Sequence, residues 1–186
     1  MQHSVRGFTL IEMMVAVALF SIVMLVGMSA LFTLVSENKR AQALNSVITD
    51  LNFTLESMAR TIRTGYDYGC GFSAGNDCPS GDTRFQVTAV INDQEYRVRY
   101  RYRQLQGRGF IERQLSPIGG GSGQSWTQIT SSNVDIKEFD FFVFGANGSD
   151  QFQPRVMIAL SGTAIEIEEN SDFSIQTTVT QRVIDL

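Results

Sequence analysis

Apolar and polar positions along the chain change their spacing twice. From Met13 to Ser36 there is no charged residue, and Met, Val, Leu, Ile and Phe dominate. About 20 such residues are enough to cross a bilayer. One carboxylate, Glu12, stands at the head of the run. An ionised group in hydrocarbon is costly and calls for a partner. From Leu44 the apolar positions thin to one stripe: Leu44, Val47, Ile48, Leu51, Leu55, Met58 and Ile62. Gaps of three and four mark one face of an amphipathic helix. Asn45, Asp50, Asn52, Glu56 and Arg60 supply the polar face. No proline interrupts Phe8 to Thr64, and Gly65, preceded by Arg60 and Arg63, is a fitting stop. The pattern predicts one continuous helix, half of it in lipid and half laid against a domain.

Beyond the helix the spacing becomes that of strands. Tyr66 to Asp82 is rich in Gly, Asp, Ser and Asn and reads as a loop. Arg84 to Ile91 reads as a strand, with Asn92-Asp93 as a turn. Tyr96, Val98, Tyr100 and Tyr102 then alternate with Arg97, Arg99, Arg101 and Arg103, a half-buried strand. Gln106 to Gly109 turns it into a hairpin partner, Phe110 to Leu115. A loop from Ser116 to Ser125 follows. Further strands run from Val134 to Phe144, from Arg155 to Ser161 and from Phe173 to Ile184. Phe139, Phe141, Phe142 and Phe144 are expected in the core. A long helix followed only by strands predicts an α+β domain, an antiparallel sheet packed on the helix. The expected organisation is a polar lead over residues 1–7, a transmembrane helix over 8–36, its amphipathic continuation over 37–65 and a β-rich globular domain over 66–186.

Composition narrows the reading. A net charge of −4 gives no general reason to expect nucleic acid. The apolar run is longer than the 7–15 residues or so of a secretory signal. No small-residue cleavage site ends it, because Val35-Ser36-Glu37-Asn38-Lys39-Arg40 passes straight into the helical pattern. Charge leaves orientation open, with Arg6 on one side and Lys39 and Arg40 on the other. Cys70 and Cys78 are the only cysteines. In a domain outside the cytoplasm they are expected to close a small loop by a disulfide; the other reading is two unrelated thiols.

Gly7-Phe8-Thr9-Leu10-Ile11-Glu12 with the run behind it resembles the class III signal of type IV pilins and of the pseudopilins of type II secretion. The resemblance implies a pilin-like fold and cutting by a prepilin peptidase between Gly7 and Phe8, with N-methylation of Phe8. It implies a cytoplasmic N-terminus, a single pass through the inner membrane and an extracytoplasmic domain. It also implies assembly with other pilin subunits, through an inner-membrane platform, into a filament. Glu12 would pair with the N-terminus of a neighbouring subunit. The helix lacks the proline frequent in major pilins. Gln153 to Ile158 and the closing Gln181-Arg182-Val183 are similar to J-type minor pseudopilins, whereas the tip-most K-type typically lacks the acid.

Two other functions are weighed beside that one. Arg97, Arg99, Arg101 and Arg103 share one face of a strand and would contact DNA phosphates in a competence pilin. Alternatively they form a solvated face paired with acids across strands, with the tyrosines buried. A membrane-anchored enzyme is disfavoured, because the one histidine, His3, lies in the segment expected to be removed. Glu166, Glu168 and Glu169 read as an acidic edge, and Asn147 to Asp150 as a turn rather than a calcium loop. No cofactor or metal is expected.

Overall fold

The computed structural model describes residues 7–121, 123–147, 152–165 and 171–182. His3, Arg6, Ser122, residues 148–151, the acidic run Glu166 to Glu169, and Val183 and Ile184 lie outside the described residues. One helix, α1 (Leu10–Thr64), precedes β1 (Tyr66–Cys70), β2 (Cys78–Asp82), β3 (Arg84–Ile91), β4 (Gln94–Leu105) and β5 (Arg108–Pro117). Then come β6 (Thr127–Gln128), β7 (Val134–Phe144), β8 (Arg155–Ala164) and β9 (Ser171–Thr180). The chain divides into two compact units, one through Gln42 and one from Ala43.

In the first unit the apolar side chains, from Phe8 to Val35, are exposed. The helix is long and apolar enough to cross a membrane. Its few hydroxyls are satisfied internally: Ser21 donates to the Val17 carbonyl at 2.8 Å and Thr33 to that of Ser29 at 3.1 Å. That is the requirement hydrocarbon imposes on polar groups.

The second unit has its own core. The stripe Val47, Leu51, Leu55, Met58 and Ile62 is buried. It shares one cluster with Phe85, Val87, Val98, Tyr100 and Ile111 and with Phe139, Phe141, Val143, Val156 and Ile158. Those partners come from two antiparallel sheets, ordered β1-β3-β4-β5-β6 and β2-β7-β8-β9. The helix end is closed by tertiary partners. The Tyr68 hydroxyl lies 2.5 Å from the Ile62 carbonyl, Gln181 Nε2 donates to the Gly65 carbonyl at 3.1 Å, and the Arg182 amide donates to that of Arg63 at 2.8 Å. Gly65 is required there by space. A Cβ on it would stand 2.3 Å from Val87 Cγ2 and 2.8 Å from the Thr88 carbonyl.

Four expectations are corrected. The strands form two sheets rather than one. The stretch read as a loop from Tyr66 to Asp82 contains β1 and β2, which are recruited by pairing with β3 and β7. Phe142 and Phe144 stay half-buried on the opposite face from Phe139 and Phe141, because successive side chains of a strand alternate. Ile48 is exposed at the margin of the buried stripe.

Candidate assembly site

Gly7, Phe8 and Glu12 lie at the start of α1. Thr9 is its N-cap and Glu12 the third helical residue. The Glu12 amide donates to Thr9 Oγ1 at 3.3 Å, and the Thr9 amide donates to Glu12 Oε2 at 3.2 Å. Thr9 Oγ1 also donates to Glu12 Oε2 at 3.1 Å. This is a capping box, two otherwise orphaned amide donors satisfied reciprocally. Thr9-x-x-Glu12 announces it in the sequence, a signal the sequence reading passed over. The carboxylate also favours the positive end of the helix dipole. Its partners among the described residues are neutral, so the cap solvates its charge without cancelling it. Phe8 is 83% exposed. Among the described residues Gly7 meets nothing: a Cβ there would have no atom within 4 Å. Local packing therefore does not require glycine at position 7.

Residues 2–28 match the family described as the prokaryotic N-terminal methylation motif. The chain carries that motif. With the apolar helix behind it, the methylation motif fits a type IV pilin-like protein. It implies processing by a prepilin peptidase and assembly with other pilin subunits, the role of a structural subunit. Comparison with curated proteins and with solved structures gives no match.

Away from the methylation motif, Cys70 and Cys78 are joined, with Cα atoms 6.0 Å apart. Cys70 ends β1 in one sheet and Cys78 begins β2 in the other, so the bridge ties the two sheets. Between them Phe72 folds over the outer face of β3 and β4. The guanidinium carbons of Arg84 and Arg99 lie 5.7 and 5.5 Å from its ring centroid. Phe72 also packs on Trp126, with centroids 5.8 Å apart, and the Arg101 guanidinium stacks 3.9 Å from the Trp126 centroid. Asp77 accepts from the Gly145 and Ala146 amides at 3.1 and 2.8 Å, pinning the loop to the end of β7.

The four arginines do share one face of β4, but three of them are occupied. Arg101 Nε lies 2.6 Å from Glu112, which is itself buried, and Arg103 is 3.8 Å from the same carboxylate. Arg99 donates to Gln114 at 3.5 Å. Of the tyrosines, Tyr100 is buried and Tyr96 and Tyr102 are half-buried. Bases therefore have no open tyrosine platform on this strand, and Arg99 and Arg101 lie beneath aromatic rings. Neither Phe72 nor Trp126 was singled out from sequence, because each acts from a loop onto a distant strand. Among the described residues no three His, Cys, Asp or Glu side chains gather as metal ligands would.

Proposed function

We propose that the chain is a minor pilin or pseudopilin of a type II secretion or type IV pilus machine, J-type-like in its closing strands. The peptidase cuts between Gly7 and Phe8, and Phe8 is N-methylated. The N-terminus faces the cytoplasm and the unit from Ala43 lies outside. The observation that carries this reading is Glu12: a single carboxylate on an exposed apolar helix, held among the described residues by neutral Thr9. In lipid such a group costs about 2.5–3.5 kcal/mol on insertion scales. Cleavage creates the missing counter-charge, the amine of Phe8 on a neighbouring subunit. The open space at Gly7 supports the reading too, since the glycine answers to the peptidase and not to the fold.

The test separates charge from cap. Glu12→Gln keeps an oxygen for the Thr9 amide and loses the charge; Glu12→Ala loses both. Both variants are expected to be cleaved normally, seen as a mobility shift, and to be equally depleted from sheared filaments. Normal incorporation of Glu12→Gln would show that the cap, and not the ion pair, is what assembly needs.

A further inference from the structure

The outer face of the first sheet holds more arginine than its own acids take up. Strand register sets the neighbours of each guanidinium. Arg101 lies between Arg84 and Glu112, whereas Arg99 lies between Gln86 and Gln114, and Arg97 between Thr88 and Ser116. Carboxylates therefore serve one end of the ladder: Glu112 serves Arg101 and Arg103, and Asp82 serves Arg84 at 3.5 Å. Glu95, two residues before Arg97 on the same face, lies 2.5 Å from the Tyr66 hydroxyl instead. Among the described residues neither Arg97 nor Arg99 has an ion pair.

Both are short of acceptors as well. The Nε atoms of Arg97 and Arg99 are shielded from solvent and have no hydrogen-bond partner among the described residues. Shielded donors of that kind are costly to leave unmade. The neutral side chains beside them are engaged elsewhere. Gln86 holds the bridged loop, donating to the Phe72 carbonyl at 3.0 Å and accepting the Ala74 amide at 3.1 Å. Gln114 donates to the Gln124 carbonyl at 3.1 Å and accepts only from Nη1 of Arg99. Phe72, 5.5 Å from the Arg99 guanidinium carbon, supplies a ring and no acceptor. The Nε edge of Arg99 and the fork of Arg97 are left for a group from outside the chain.

We infer that Arg97 and Arg99 form a binding site for an extended acidic segment of another protein, one with carboxylates at alternate residues. A guanidinium fork matches a carboxylate through two parallel hydrogen bonds. Alternate side chains of a strand lie about 6.5–7 Å apart. An extended peptide repeats its own alternate side chains at that distance, so two carboxylates two residues apart meet both arginines at once. Acids bound the site, Glu95 before Arg97 and Glu112 beside Arg101, so it takes a pair of carboxylates and repels a longer polyanion. Duplex DNA matches it less well. Each DNA strand places a charge about every 3.4 Å along the axis, and the whole chain carries −4. The inference stands apart from the filament reading and does not need it.

The test titrates the full-length chain, in an uncharged detergent at physiological salt, with fluorescein-labelled probes read by anisotropy. One peptide carries two glutamates at alternate positions in a threonine background. A second has the same composition with the glutamates three residues apart, where an extended chain points them to opposite faces. The first is expected to bind about fivefold more tightly. Arg97→Gln with Arg99→Gln should weaken it about tenfold, and Arg97→Lys with Arg99→Lys, which keeps the charge and loses the fork, by less. The Lys pair also keeps the face filled if the Gln pair unfolds it. Arg60→Gln with Arg63→Gln, the same loss of charge on the helix, should leave binding unchanged. Equal affinity for the two peptides, no binding of either, or indifference to the Gln and Lys pairs would overturn the site. Tighter binding of a duplex DNA probe would assign the face to nucleic acid and overturn it too. So would self-association that the Gln pair abolishes, which would make the occupant a second copy. None of these outcomes touches entry into filaments, so the filament reading stands or falls separately.

Discussion

Two carboxylates in this chain are held in opposite ways. Glu12 is exposed on an apolar helix, with hydroxyl and amide partners and no cation among the described residues. Asp135 is buried beside β4 and β5, where it accepts the Gly109 amide at 2.8 Å and pairs with Lys137. Burial alone would push the Asp135 pKa up, but the Lys137 ammonium and the Gly109 N–H outweigh it and hold the group below its ordinary 3.8. The unfolded chain therefore binds this proton more readily than the folded one. Stability from Asp135 is complete above pH 3.8 and drains away as pH falls through the lower folded value. Asp135→Asn is expected to lower the urea midpoint at pH 7, and the loss should shrink as the pH is taken below 3.8. Equal losses at pH 7 and pH 2.5 would show that shape, and not charge, is what the position supplies. Tyrosine titration points the other way. Burial raises the pKa of Tyr68 and Tyr100 above 10.0, so the fold loses stability as pH climbs past 10.

At the scale of elements, β1 and β2 depend most on their surroundings. Each is short and polar, and each sits at a sheet edge. The Cys70–Cys78 bridge, at a sequence separation of 8, restricts the unfolded chain by about 2.5 kcal/mol on the loop-entropy relation. Reductant, or Cys70→Ser with Cys78→Ser, is expected to lower stability by about that amount. It should also change the emission of the only tryptophan, Trp126, because Phe72 in the bridged loop packs on it. An unchanged urea midpoint in reductant would refute the clasp. The same elements show what the sequence could reveal. The helix stripe and the β4–β5 hairpin are local patterns, and local patterns are legible. Asn92-Asp93 and Gln106-Gly107 even supply the paired positive φ angles, 51° and 59°, then 52° and 80°, that two-residue hairpin turns demand. β1 and β2 have no such pattern, because their order comes from β3, β7 and the bridge. The division into two sheets was likewise hidden, since alternation says which face is buried and not which strand lies alongside. At the N-terminus the acid was legible and its cap was overlooked, although Thr9 lies three residues away.

The two units of the whole molecule solve burial differently, and that difference is testable. Through Gln42 the helix buries nothing of its own, so its apolar surface must meet lipid or neighbouring helices. From Ala43 the stripe Val47, Leu51, Leu55, Met58 and Ile62 completes a core with both sheets. A chain beginning at Ala43 is therefore expected to be soluble, to unfold in one cooperative step and to keep the near-ultraviolet signal of Tyr68, Tyr100 and Trp126. A chain beginning at Gly65 lacks the stripe and uncovers Phe85, Val87 and Phe141. Deleting five buried apolar side chains, each contributing about 1.5–3 kcal/mol, removes as much as the 5–15 kcal/mol or so that a whole domain has in hand. It should aggregate, or bind a hydrophobic dye without fixed tertiary signal. Size-exclusion chromatography and circular dichroism of the two chains decide the matter. A Gly65 chain as monomeric and as cooperative as the Ala43 chain would mean that the helix merely tethers the domain. In either case the Ala43 chain has neither Phe8 nor Glu12. It should stay out of filaments while remaining folded, which separates the fold of the outer unit from the assembly chemistry at the other end of the helix.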